Sequence, residues 1–272
     1  MIFFIASKMD VAGLNIARKL IELFEFKEGD ELFLGNPVYV KRVRGSETAK
    51  LVFVNDEPVK TQDIPYPSDL KIAIFISRHS SRSGTPTLSV HTPGNIGEAS
   101  LGGIAGKVSI SPASAMKAAL LEMKKAQEEM SLPYEVSYEC THHGPSLDFP
   151  AMFVELGSSI DQWRDPKAAE AVARGAMAAA ENENVYPAAL GVGGQHYNDK
   201  FTRIALTSDI AFGHMIPKYA IPIVDEEILN QCVERTLEKV QLAVLDWKGM
   251  KSEDRQKIVK IVEKLGLEFR KV

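Results

Sequence analysis

The chain has 272 residues, of which 45% are hydrophobic and 25% are charged, a composition typical of a globular protein that buries a full core. Its net charge of −4 argues against a general nucleic-acid coat protein, although a local basic patch remains compatible with it. The two cysteines, Cys140 and Cys232, lack CxxC spacing, which excludes a disulfide framework and a cysteine-based zinc finger. Lys8 and Asp10 interrupt the first apolar run, and no run approaches the ~20 residues of a membrane span. We therefore expect a cytoplasmic protein with no membrane partner.

Short apolar runs, rich in Val, Ile, Phe and Leu, recur along the chain and predict buried strands. They lie at residues 2–6, 51–54, 72–77, 108–110, 136–138, 152–156, 188–192 and 242–247. Residues of about 25–70 are less regular than the rest.

Segments with helical periodicity lie between these runs. Residues 10–24, 225–240 and 252–265 are amphipathic, and Ser111-Pro112 and Asp165-Pro166 are typical helix starts. In the helix after Ser111, an apolar stripe contains Met116 and Leu120, and Lys117 is expected to point elsewhere. Strands that alternate with helices predict an α/β fold with a mixed, largely parallel central sheet flanked by helices. We expect one catalytic domain over residues 1–272.

The six histidines are the most informative residues for function. None falls in a predicted amphipathic helix, and each lies near the end of an apolar run, close to Gly, Pro, Ser or Thr. They are His79, His91, His142, His143, His196 and His214. A single loop histidine is usually an ordinary polar side chain. Because ligand sites in open α/β sheets form beyond the carboxyl ends of strands, six such histidines predict one shared pocket.

The segment 138–145 carries the sharpest signal. A predicted strand ends in Glu139, and the adjacent His142 and His143 precede a Gly-Pro turn. Adjacent histidines in a regular strand would face opposite sides, whereas an irregular turn leaves open whether both reach one site. Imidazole suits general base catalysis and metal ligation near neutral pH. Glu155, near the end of the next predicted strand, is the natural carboxylate partner or else an exposed strand-end acid.

Two glycine-containing turns present further histidines. Gly193 and Gly194 follow a predicted buried strand and precede His196, so their N–H groups could form an oxyanion or phosphate cradle, or simply a flexible turn. The pattern is neither a P-loop nor a dinucleotide fingerprint. His214 follows a similar turn, with Lys218 close behind it.

Cationic residues near the histidines suit contacts with phosphate. Arg78 and Arg82 flank His79 among hydroxyl side chains, and His91 lies nearby in sequence. Together with Lys218 they could form a local basic patch, whereas Lys107 and Lys248 are interpreted as solvated surface residues. Cys140 as a nucleophile is disfavoured because free cysteines are usually buried and inert, and no Gly-x-Ser-x-Gly elbow supports a serine hydrolase.

Taken together, these motifs resemble the archaeal and plant type of D-aminoacyl-tRNA deacylase. The matching segments keep their order over nearly the whole chain, and include Ser77-Arg78-His79-Ser80, Thr141-His142-His143-Gly144-Pro145, Glu155-Leu156-Gly157-Ser158-Ser159 and Asp246-Trp247-Lys248-Gly249. The resemblance implies hydrolysis of the ester between a D-amino acid and the 3′-terminal ribose of tRNA. It also implies a mixed α/β core like those of peptidyl-tRNA hydrolase and phosphorylases, and zinc as cofactor.

On this basis we predict a water activated by zinc. The predicted ligands are His142, His143 and His196, with Glu155 as a further ligand or general base. His79 and His214 would support the site or contact substrate. His91 would also contact substrate, Gly193 and Gly194 would bind the oxyanion, and Arg78, Arg82 and Lys218 would hold the phosphates of the tRNA 3′ end.

Two rival functions stay open. A small-molecule hydrolase or phosphorylase, acting for example on a nucleoside, could use the same loops, and a non-enzymatic protein could bind tRNA or metal. The sequence leaves the oligomeric state open between a monomer and a small homo-oligomer.

Overall fold

The computed structural model describes residues 1–45 and 47–272. The described chain has two sheets, which are built from the following strands. They are β1 (Ile2–Ser7), β2 (Lys27–Phe33), β3 (Asn36–Arg42), β4 (Thr48–Val54), β5 (Ile72–Arg78), β6 (Thr87–His91), β7 (Glu135–Tyr138), β8 (Ala151–Gly157), β9 (Ala188–Val192), β10 (Ala211–Ile216), β11 (Val240–Leu245) and β12 (Glu268–Lys271). The helices are α1 (Val11–Phe24), α2 (Ala113–Glu129), α3 (Ile160–Trp163), α4 (Pro166–Glu181), α5 (Asp199–Thr207), α6 (Glu226–Glu234) and α7 (Ser252–Lys264).

The larger sheet has eight strands in the order β2-β3-β4-β1-β5-β8-β6-β7. Its centre, from β4 to β8, is parallel, whereas β6 pairs antiparallel to β8 and β7 pairs parallel to β6. The predicted mixed, largely parallel α/β architecture is therefore confirmed. Strand direction reverses between β8 and β6, and this reversal positions the site described below.

The two faces of this sheet are covered differently. One face carries Phe4, Ile74 and Val154, which pack with apolar residues of α1, α2 and α4. Gly175 on α4 permits close packing against α2, since an added Cβ would lie 2.5 Å from Met123 Cγ. The opposite face carries Phe3, Phe75 and Phe153, which pack against loop residues. No helix covers this second face in the described cluster, which leaves room for a site.

The smaller sheet has four parallel strands in the order β10-β9-β11-β12. It encloses its own cluster of buried apolar residues, including Leu190, Ile216 and Leu245, with contributions from α6 and α7. Because the strands are parallel, their carboxyl ends all lie at one edge of the sheet.

One predicted strand and one predicted helix boundary are wrong. The run 108–110 is not a strand, since Val108 and Ile110 form isolated bridges to Gly94 and Pro150 on different segments. The helix predicted over 225–240 ends at Glu234, and Val240 already begins β11. The apolar spacing there continued across two elements, so periodicity alone could not place the boundary.

The segment 25–70 contains β2, β3 and β4, so it is largely regular as far as Val54. Most residues of β2 are exposed, and an exposed strand lacks the apolar alternation from which strands are predicted.

The start of α2 also differs from the prediction. The helix begins at Ala113, and the carboxylate of Glu238 accepts hydrogen bonds from the N–H groups of Ala113 and Ser114 at 3.0 and 2.8 Å. The expectation that Lys117 points away from the core is wrong, since it is only 2% exposed. Its ammonium donates to the carbonyls of Ala205, Ser208 and Ile210, at and just beyond the end of α5. No helix among the described residues has the length and apolar character required to span a bilayer.

Candidate active site

Five of the six histidines meet in one cluster. His79 follows β5, His91 ends β6, His142 and His143 lie in the loop after β7, and His196 follows β9. The ring centroids of His142 lie 3.8 Å from His143, 4.1 Å from His196 and 4.9 Å from His91. The ring centroid of His79 lies 5.8 Å from that of His196, which links His79 to the cluster. The irregular loop therefore brings both adjacent histidines to one place.

The cluster lies where strand direction reverses, because His79 and His196 follow the ends of parallel strands whereas His91 ends the antiparallel strand β6. Ser77 of β5 and Ser89 of β6 both stand in register with Glu155 of β8. His91 stacks on Phe153, two residues before Glu155, with the ring centroids 5.1 Å apart. Residues two apart on a strand share a face, so Glu155 and His91 project from the same side of the sheet.

Two buried carboxylates hold the histidines together. Glu139, which is 0% exposed, accepts from His196 Nε2 at 2.8 Å. Its other oxygen lies 3.0 Å from His79 Nδ1. Glu155 accepts from Ser77 Oγ at 2.7 Å, and lies 3.5 Å from both His79 Nδ1 and His91 Nε2. Among the described residues, Glu139 and Glu155 form ion pairs with histidines alone.

The electrostatics follow from this placement. Burial alone lowers the pKa of His79, but the two carboxylates outweigh it and raise that pKa to about 10. Burial raises the pKa of Glu155, but His79 and His91 outweigh it and lower that pKa to about 2. Burial also raises the pKa of Glu139, but hydrogen bonds with His196 and His79 outweigh it and hold that pKa well below its usual range. Two buried carboxylates without lysine or arginine need a compensating cation, which is either a proton on histidine or a metal ion.

His142 and His143 behave in the opposite way. Burial and the neighbouring histidines lower the pKa of His142 well below its usual range, and lower the pKa of His143 to about 4. His142 Nδ1 lies 2.5 Å from the carbonyl of Cys140, so this nitrogen carries the proton and donates. Nδ1 of His143 is buried without a hydrogen-bond partner. Both rings are therefore neutral near pH 7, and His143 retains an unused nitrogen.

The donor atoms of two residue groups lie close enough to hold a metal ion. One group is His79, Glu139 and His196, and the other is His91, Glu139 and Glu155. Within each group all donor atoms lie within 4.8 Å of one another. His91 Nε2 and Glu139 Oε1 are both buried without a hydrogen-bond partner. These residues therefore fit a cation with nitrogen and oxygen ligands.

The predicted ligand set is divided by the structure. His196 belongs to the first group and Glu155 to the second, whereas neither group of the described residues contains His142 or His143. Glu139 takes the central position in both groups.

A cleft of about 420 Å³ opens beside the cluster and is lined by Arg78, His79, His143 and Glu155 among others. The guanidinium of Arg78 donates twice to Glu57, at 2.8 and 3.0 Å, and lies 5.5 Å from the centroid of the Trp163 ring. The positive charge of Arg78 is therefore already compensated by Glu57.

His214 is not part of the cluster. It lies within β10, buried, with Nδ1 3.1 Å from the hydroxyl of Thr141 and Nε2 3.3 Å from the carbonyl of Arg235. Burial lowers the pKa of His214 to about 4. The expectation that all six histidines share one pocket is therefore wrong for His214.

The other residues predicted to contact substrate differ in whether their polar groups are free to do so. The N–H of Gly193 donates to the carbonyl of Ile216 at 2.8 Å, so it is not free to bind an oxyanion. Gly194 has a φ of +81°, and its carbonyl accepts from the N–H of Lys218 at 2.9 Å. The side chains of Arg82 and Lys218 are exposed.

Two residues of the site were not among the predicted site residues. Glu139 directly follows β7 and precedes the histidine pair, so its position at a strand end was the available signal. The hydroxyl of Tyr197 lies 2.5 Å from His79 Nε2. Tyr197 carried no separate signal, because its contact with His79 joins segments 118 residues apart.

The fold and this site define an α/β protein with a buried histidine and carboxylate centre beside an open cleft, an arrangement typical of hydrolases. Residues 66–270 match the family model described as D-aminoacyl-tRNA deacylase. The D-aminoacyl-tRNA deacylase of Thermococcus kodakarensis is 43% identical over 270 residues, which cover 97% of each chain. That of Methanosarcina barkeri is 36% identical over 274 residues, covering 97% of this chain and 87% of the relative. The chain belongs to the D-aminoacyl-tRNA deacylase family, as the sequence motifs predicted.

A solved structure supports the fold. The crystal structure of a conserved protein of unknown function matches with a TM-score of 0.87 and 29% identity, covering 100% of this chain and 95% of that one.

Proposed function

We propose that this chain hydrolyses the ester bond between a D-amino acid and the 3′-terminal ribose of tRNA. The observation that carries the proposal is the meeting of five histidines and two buried glutamates beside a cleft, in a member of this family. Because the cluster draws His79 from the larger sheet and His196 from the smaller one, we propose that residues 1–272 act as one catalytic domain. We expect it to act in the cytoplasm, as a monomer or small homo-oligomer.

The chemistry that the residues must supply is modest. An aminoacyl ester is already activated, so hydrolysis needs a positioned water, a proton acceptor and stabilisation of the developing negative charge. His143 lines the cleft and is neutral near pH 7. We assign it the role of accepting a proton from the attacking water.

We propose zinc as the cation of the cluster, held by His79, Glu139 and His196. Two imidazoles and one glutamate form a ligand set known from catalytic zinc sites. When bound, zinc acts as a Lewis acid and lowers the pKa of coordinated water to about 7. The second group, His91, Glu139 and Glu155, shares Glu139 with the first.

Neighbouring residues hold these donors in place. The contact of Tyr197 with His79 Nε2 turns Nδ1 of the same ring towards Glu139 and Glu155. Such hydrogen bonds around ligands typically fix ring orientation. Metal binding must displace the proton that the two carboxylates retain on His79, so metal affinity is expected to rise with pH.

We propose that Arg82 and Lys218, both exposed, contact the phosphates of the tRNA 3′ end. Arg78 is held by Glu57, and we assign it to shaping the cleft wall instead.

The test compares purified protein on D-Tyr-tRNA, on L-Tyr-tRNA and on free nucleosides. We expect fast release of D-tyrosine, little release of L-tyrosine and no nucleoside cleavage. Cleavage of nucleosides without deacylation would replace the proposal with the small-molecule alternative. Tight binding of charged tRNA without turnover would show a binding protein instead.

A further inference from the structure

A basic surface lies at the carboxyl edge of the four-stranded sheet. We define it as the side chains of Lys248, Lys251 and Lys271. Lys248 and Lys251 lie in the loop that follows β11, and Lys271 ends β12. The N–H of Trp247 donates to the carbonyl of Val272 at 3.1 Å, so the two strand ends are joined there. All three lysines are exposed.

The charge of this surface is not compensated locally. Among the described residues, no carboxylate lies within 4.0 Å of the ammonium groups of these three lysines, although Lys19, Lys50 and Lys264 elsewhere all form such pairs. Glu253 and Asp254, in the first turn of α7, are close in sequence but do not pair with them.

The ring of Trp247 contacts Lys271 of this surface and the neighbouring Arg255. The ammonium of Lys271 lies 3.9 Å from the ring centroid, and the guanidinium carbon of Arg255 lies 5.2 Å from it. Cation–π contacts of this kind hold a charge in position without neutralising it. The positive charges therefore remain available to a polyanion.

Residues that pack against one another connect the basic surface to the active site. Asp246 precedes Trp247, and an added Cβ on Gly193 would lie 2.9 Å from Asp246 Cβ. Asp246 pairs with Lys200 at the start of α5, and its N–H donates to Val192 at the end of β9. Gly193 starts the turn that presents His196. The surface and the catalytic cluster thus flank the same turn.

We propose that the basic surface binds the phosphate backbone of the tRNA acceptor stem, beyond the terminal nucleotides that enter the cleft. This inference rests on the proposed function. A stem whose 3′ end reaches His196 must pass over an adjacent surface, and lysines without carboxylate partners attract phosphates and release counterions on contact. The phosphate contacts position the substrate, and the cleft acts on its ester.

The test uses the triple variant Lys248→Gln, Lys251→Gln, Lys271→Gln, with D-Tyr-tRNA and the short substrate D-tyrosyl-adenosine. We expect KM for D-Tyr-tRNA to rise by about ten-fold or more. The plot of log KM against log salt should become shallower by up to about three, one for each lost phosphate contact. The short substrate lacks a stem, so the ratio of kcat/KM on tRNA to kcat/KM on the short substrate should fall by the same factor.

The control is Lys27→Gln, Arg42→Gln, Lys239→Gln, which removes three exposed charges outside this edge, two on the larger sheet and Lys239 at the amino end of β11. It changes the net charge equally, so a matching fall in the ratio for both triple variants would overturn the inference, as would an unchanged ratio. Hydrolysis of the short substrate reports that each variant is folded. If the wild-type protein cleaves neither substrate, the proposed function itself fails.

Discussion

The histidine and carboxylate cluster and the basic surface contrast in every physical respect. Glu139 and Glu155 are buried, and histidine nitrogens lie within 3.5 Å of both carboxylates. Lys248, Lys251 and Lys271 are exposed and have no carboxylate partner within 4.0 Å among the described residues. Charges interact strongly in a buried environment and weakly in water. The buried groups are therefore suited to chemistry and the exposed ones to attracting a polyanion.

Catalysis by the buried cluster and tRNA binding by the basic surface can be separated by experiment. A change in the buried cluster should affect every substrate, whatever its size. A change on the exposed surface should affect substrates with a nucleic-acid stem alone, and salt should weaken that effect.

The largest effect is expected from Glu139→Gln, which removes the charge shared by both metal groups while keeping the side chain's shape. We expect kcat/KM to fall by about 10²–10⁴-fold, the scale associated with a catalytic group, for D-Tyr-tRNA and for D-tyrosyl-adenosine alike. Bound metal should fall in parallel. The matched control is Glu135→Gln, an exposed residue of β7. Equal activity of the two variants would contradict the claim that the buried charge, unlike the exposed one, is needed for hydrolysis.

Protonation of His214, which lies apart from the cluster, is expected to destabilise the fold. Its pKa of about 4 lies below its unfolded value of 6.5, so the unfolded chain binds the proton more readily. The stabilisation it gives is present above pH 6.5 and is lost as the pH falls towards 4, amounting to about 3 kcal/mol.

Urea unfolding near neutral pH and near the folded pKa checks this prediction. Over this pH interval the free energy of unfolding of His214→Gln should fall by about 3 kcal/mol less than that of the wild type. This holds even if the variant is less stable at every pH. An identical loss in both proteins would show that His214 does not titrate as its burial requires.

The smallest effect concerns a buried lysine, in contrast to the exposed ones. Lys117→Met leaves the carbonyls of Ala205, Ser208 and Ile210 without their donor, so we expect the free energy of unfolding to fall by about 2–3 kcal/mol. The control Lys124→Met lies on the same helix and breaks an exposed ion pair with Glu128, worth about 1 kcal/mol or less. Denaturant titration compares them. A Lys117→Met protein as stable as Lys124→Met would contradict the role of Lys117 at the end of α5.

Much of the fold was predictable because buried strands leave an uninterrupted apolar signal. The runs that became β1, β5, β8 and β9 were all recognised, and Asp165 was correctly placed as the N-cap of α4, where its side chain accepts from the N–H groups of Lys167 and Ala168. β6 and β10 were missed. The first carries Ser89 and His91 and the second carries Gly213 and His214, so polar residues interrupt their apolar pattern although the strands are buried.

The site was less predictable, because loop position does not give the direction of a side chain. His143 and His214 follow similar sequence signals, yet one lines the cleft and the other is buried against Thr141 and Arg235. The central place of Glu139 depends on β7 lying beside β6 and on His196 arriving from the other sheet. Such long-range pairing leaves no trace in local composition.

The central claim is that the buried cluster is a metal-dependent hydrolytic centre. It is tested most directly by single-turnover hydrolysis of D-Tyr-tRNA with protein purified without a histidine tag, after chelation and again after zinc is restored, with bound metal quantified each time. We expect hydrolysis to disappear as the metal is removed and to return in proportion to the zinc that is bound. An unchanged rate in metal-free protein would contradict the claim.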